Sequence, residues 1–111
     1  MSLIKDYFTK TKELNEKYGE KSIVLMQVGS FFEVYGYKNT KGEIVGSRID
    51  SFRKICDFNV SEKKNAKGNE NEDVVMMAGF PEYQIEKYID KLQQNGFTVA
   101  IYKQQDDKRN N

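Results

Sequence analysis

Residues 22–36 read Ser-Ile-Val-Leu-Met-Gln-Val-Gly-Ser-Phe-Phe-Glu-Val-Tyr-Gly. The first seven are branched and apolar enough for a buried strand. Gly29-Ser30 interrupts the run, and Phe31–Tyr35 resumes an extended pattern that stops at Gly36. Side chains alternate along a strand, so the adjacent Phe31 and Phe32 cannot face the same way. With Phe32 in the core, Phe31 and Glu33 share the other face, beside a glycine that lets another backbone approach. The spacing leaves two readings open. The pair is ordinary core with a solvated glutamate, or a ring and a carboxylate are presented together to a ligand.

Working outward, residues 3–18 predict an amphipathic helix whose stripe is Leu3, Tyr7, Leu14 and Tyr18, with Ile4 and Phe8 alongside and Gly19 past its end. Residues 38–43 predict a turn, Ile44–Ile49 a short strand, and Ser51–Asp57 a short helix carrying Phe52, Ile55 and Cys56. The polar run 61–73 predicts a mobile surface loop. Val74–Ala78 predicts a second buried strand. After Gly79-Phe80-Pro81, a helix is expected over 82–95, with Tyr83, Ile85, Tyr88, Ile89 and Leu92 as its stripe. Phe97–Tyr102 predicts a third clear strand, and the closing QQDDKRNN a frayed end or the start of a linker. The sum is α+β: one small domain with a mixed β-sheet flanked by helices.

Composition narrows the chemistry. In 111 residues, 18 Lys and Arg against 17 Asp and Glu give a net charge of +1, which excludes a polycation or an acidic tail. There is no histidine, which removes histidine acid–base catalysis, a Ser–His triad and histidine zinc sites. The single Cys56 excludes an internal disulfide. No glycine-rich phosphate loop occurs, no apolar run is long enough to span a bilayer, and the first residues do not resemble a signal peptide. A binding protein in a reducing, intracellular setting is expected, rather than an enzyme.

Three segments carry a resemblance. Gly29-Ser30-Phe31-Phe32-Glu33 follows the first strand. Met77-Ala78-Gly79-Phe80-Pro81 is followed by Tyr88. Leu92 and Gly96 precede Val99-Ala100-Ile101 and Gln104. In this order and spacing, residues 3–107 resemble the N-terminal mismatch-recognition domain (domain I) of the MutS family of DNA mismatch repair proteins, with Ser30 where the family usually has Asp. The resemblance implies a domain over 1–105, with 106–111 as a frayed end or linker. It also implies an excised domain or fragment of a longer protein. ATP and Mg would be bound elsewhere in that protein, which would act as a dimeric clamp. The isolated domain would be monomeric and would need no cofactor.

The resemblance further implies that Phe31 is a wedge stacking on a mispaired base from the minor groove, and that Glu33 hydrogen-bonds that base. The partner is then double-stranded DNA containing mismatches, with no membrane involved. A ring inserted between base steps costs a few kcal/mol of unstacking. A mismatch is already poorly stacked and yields more readily. Glu33, repelled by ordinary duplex and without a partner there, would trade affinity for discrimination. It would accept from a base N–H, or donate when protonated beside the phosphates. Candidate phosphate contacts near the wedge are Lys38, Lys41, Arg48, Arg53 and Lys54, then Lys103. A non-specific nucleic-acid binder and a protein-interaction module built on the same fold are the alternatives.

Overall fold

The 22–36 stretch forms two antiparallel strands joined by a two-residue turn. In β1 (Ser22–Val28) and β2 (Phe31–Lys38), Val28 stands opposite Phe31 and Met26 opposite Glu33. Gly29 takes φ +60° while Ser30 keeps a negative φ. A glycine in that conformation at the first turn position gives the II′ geometry, whose twist matches the flanking strands. The computed structural model describes residues 3–63 and 74–103. Among these, the further strands are β3 (Ile44–Val45), β4 (Ser61–Glu62), β5 (Val74–Pro81) and β6 (Thr98–Tyr102). They make one sheet in the order β4-β5-β2-β1-β6, with β3 beside β2. Only β1 and β6 pair in parallel. The sheet is therefore mixed, as the α+β reading expects.

The helices are α1 (Leu3–Tyr18), α2 (Ile49–Cys56) and α3 (Ile85–Gln94). One side of the sheet packs on α1, where Tyr7 meets Tyr35 edge-on at 5.1 Å and Phe8 stacks on Tyr37 at 4.2 Å. The buried Tyr7 hydroxyl donates to the Val24 carbonyl at 2.8 Å, so it enters the core with its polar tip satisfied. The opposite side holds an aromatic cluster in which Phe80 contacts Phe32, Phe52, Phe58 and Tyr88. Phe52 and Tyr88 bring α2 and α3 onto that side. α3 then carries the chain from β5 across to β6.

Several boundaries differ from expectation. In α1, Tyr18 is 52% exposed with Lys17 over its ring, and Thr11 fills the buried stripe instead. The expected strand 44–49 is only Ile44–Val45, because Ile49 already opens α2; that helix ends at Asp57 in a left-handed cap. Strand β5 runs on to Pro81, which is its last residue rather than a helical one. A 3-10 turn, Glu82–Gln84, then separates it from α3. Tyr83 lies in that turn and is 80% exposed, outside the apolar stripe. Within the run read as a loop, Ser61-Glu62 pairs with Met77-Met76 as an edge strand. The rest of that run, 64–73, and the closing 104–111 lie outside the described residues.

Candidate nucleic-acid interface

Phe31 is the first residue of β2, directly after the Gly29-Ser30 turn. The residue is 46% exposed, against 3% for Phe32. Alternation along the strand separates the two rings as the sequence requires. The Phe31 backbone is held on both sides, opposite Val28 on β1 and Pro81 on β5. The neighbouring Ser30 carbonyl accepts from the Glu82 N–H at 2.8 Å. Phe31 and Pro81 thus form a non-hydrogen-bonded pair, where proline's missing donor costs nothing. Gln27 adds a side-chain bond to Glu82 at 2.9 Å. The exposed Tyr83 ring follows that contact by one residue.

Glu33 lies two residues along the same face. Its side chain is 13% exposed. Its Oε1 accepts from the Tyr35 hydroxyl and lies 3.7 Å from the Lys63 ammonium. Lys63 Nζ also sits 5.5 Å from the centre of the Tyr35 ring. Burial, and next the hydrogen bond to Glu33, push the Tyr35 hydroxyl far above the usual phenol range, so it stays a neutral donor. Gly79 stands opposite Glu33. A Cβ there would lie 2.9 Å from the Phe32 carbonyl oxygen and 3.2 Å from Glu33 Cγ. The missing side chain of Gly79 is what lets Glu33 lie down against β5. The sequence names no partner for Glu33 within the chain; the fold gives it two.

Comparisons with known proteins show the family. Residues 5–111 match the family described as MutS domain I. The chain is also 31% identical, over 107 residues, to the DNA mismatch repair protein MutS of Parabacteroides distasonis. The chain belongs to the MutS domain I family. The aligned region covers 96% of this chain and 10% of that relative, so the chain spans about a tenth of the curated protein it matches.

Within this MutS domain I, the cations named from sequence do not gather around Phe31. Lys38 ends β2, seven residues from Phe31, which is about 23 Å along a strand. Lys41 lies in the turn beyond it. Arg48 and Lys54 line a cleft of about 370 Å³ with Lys21, Ser51, Ile55 and Phe97. Lys21 precedes β1, so this cleft is at the end of the sheet away from Phe31. Arg53 and Lys54 are already paired with Asp50, at 2.7 and 3.2 Å. Burial raises the Asp50 carboxyl, but the bonds from Arg53 and Lys54 outweigh it and hold it below the usual range. Lys103 follows Tyr102, which stands in register with Met26 and through it with Glu33. It is the one sequence candidate placed near the Phe31 end.

Two residues at this end escaped sequence reasoning. Lys63 was hidden in a polar run, and only its pairing beside β5 reveals it. The sequence pattern puts Tyr83 in the α3 stripe, although its spacing of two from Ile85 breaks the helical pattern. Among the described residues, no three His, Cys, Asp or Glu side chains come together to hold a metal. No described helix is long and apolar enough to cross a membrane.

Proposed function

We propose that this MutS domain I is the DNA-contacting module of a mismatch repair protein, and that it senses mispaired or unpaired bases with Phe31. The ring enters from the minor groove and stacks on the weakened base, and Glu33 hydrogen-bonds that base. The observation carrying this reading is a half-exposed Phe31 beside a tight turn, with Glu33 on the same face. Stacking returns about 1–3 kcal/mol whichever base is met. Unstacking costs about a few kcal/mol, and less where pairing is already broken. The balance favours insertion at mispairs and opposes it in matched duplex, so deformability rather than a base code supplies selectivity. The module performs no chemistry of its own. In this reading, ATP hydrolysis and clamp dimerisation belong to other parts of the complete protein.

Phosphate contacts near the wedge fall to Lys103, whereas Lys38, Lys41, Arg48, Arg53 and Lys54 would touch DNA only well away from the inserted ring. The test is a titration of the complete protein against a G·T heteroduplex and its matched homoduplex. Phe31→Ala should abolish the preference for the heteroduplex. Glu33→Gln should tighten homoduplex binding and narrow the preference. A Phe31→Ala protein that still prefers the heteroduplex as strongly as wild type refutes the proposal.

A further inference from the structure

Glu33 is not a free carboxylate, and this bears on how it reads a base. The inference rests on the Phe31–Glu33 reading above and deepens it. Oε1 is shared by the Tyr35 hydroxyl and the Lys63 ammonium. Lys63 comes from β4's continuation, where its N–H donates to the Val75 carbonyl at 2.8 Å. Its side chain reaches across β5 to the Tyr35 ring and to Glu33. Both partners are substantially shielded, with 26% of the Lys63 side chain and 13% of the Glu33 side chain exposed. A shielded ion pair is screened less than one in open water and holds its geometry better.

We infer that Lys63 is a positioning residue for mismatch discrimination: with Tyr35 it anchors Oε1 of Glu33 and leaves Oε2 to meet the base. Glu33 has three rotatable side-chain bonds, and an unanchored carboxylate would sample orientations that miss the base edge. Anchoring removes that freedom before DNA arrives, which is preorganisation. The pairing also neutralises Lys63, so this lysine contributes little as a phosphate contact. That separates it from an ordinary surface cation, whose loss weakens binding to every sequence alike.

The experiment compares the complete protein with Lys63→Met, Lys63→Arg, Phe31→Ala, Glu33→Gln and the Lys63→Met/Glu33→Gln double variant. Binding to a G·T heteroduplex and to its matched homoduplex is measured at two salt concentrations. Lys63→Met should reduce the heteroduplex-to-homoduplex affinity ratio about three- to tenfold, in the lower part of the range of coupling between contacting residues. Homoduplex affinity and its salt slope should stay near wild type. Lys63→Arg should restore most of the ratio, and Lys63→Met should add nothing in the Glu33→Gln background. Equal loss on both duplexes with a shallower salt slope would make Lys63 a phosphate contact and overturn the inference. So would an undiminished effect of Lys63→Met in the Glu33→Gln background. If Phe31→Ala loses the preference while Lys63→Met keeps it, the wedge stands and this inference alone fails. If Phe31→Ala keeps the preference, the wedge reading fails first.

Discussion

Gly79→Ala probes the packing that seats Glu33. Gly79 is not among the glycines with positive φ, so alanine meets no conformational strain there. Restricting the unfolded chain would, by itself, stabilise the protein by about 0.4–1 kcal/mol. The contacts act the other way. The new Cβ would lie 2.9 Å from the Phe32 carbonyl oxygen and 3.2 Å from Glu33 Cγ. Glu33 can swing aside, but the Phe32 carbonyl belongs to a strand flanked by β1 and β5 and cannot. Overpacking of this kind costs about 1–3 kcal/mol. The expected net loss is about 1–2 kcal/mol, roughly 4–8 °C in Tm per kcal/mol for a domain of this size. Urea unfolding followed by circular dichroism gives the midpoint, and DNA titration shows whether the displaced Glu33 loses discrimination. An unchanged or raised midpoint would mean that β2 and β5 part freely and that Gly79 is not what seats Glu33.

Three further outcomes are expected. Phe32→Ala should cost about 3–5 kcal/mol as a core deletion, and the half-exposed Phe31→Ala about 1 kcal/mol; equal losses in urea melts would place the Phe31 ring in the core. Burial holds the Tyr7 and Tyr35 hydroxyls far above their ordinary range, so their stabilising effect is full below a pH of about 10 and is lost as pH rises beyond it. In an alkaline absorbance titration, two of the seven tyrosines should ionise only as the circular dichroism signal collapses, and full ionisation of a still-folded protein would contradict this. Burial also pushes the Cys56 thiol up, against a smaller opposing effect of Lys91. Alkylation at a pH of about 8 should therefore wait for denaturant, and reaction at the rate of a free thiol would show that the α2 packing is open.

The sheet and α1 were legible because their signals are local. The run 22–28 is continuous and apolar, and the adjacent phenylalanines had to point apart. The Phe31 face was readable from alternation alone. What escaped was set by distant pairing. Ser61-Glu62 is polar and becomes a strand only because β5 offers a free edge. Pro81 looked like a helix start, yet it closes β5 because its position opposite Phe31 demands no donor. Lys63 had no periodic signature, since its role depends on a side chain crossing a neighbouring strand. The position of the cations was set in the same way: Lys38, Arg48 and Lys54 follow Phe31 in sequence, and the fold carries them toward the other end of the strands.

The stitching of Phe31 to strands on both flanks has a mechanical consequence. A ring carried on a slack loop would recoil when pressed, and the encounter would be spent on ordering the loop. Here any load on the ring passes into six strands and the helices behind them, a body too stiff to give way. If the ring is the wedge proposed above, compliance must then come from whatever it strikes, and the depth it reaches becomes a gauge of the softness of the other partner.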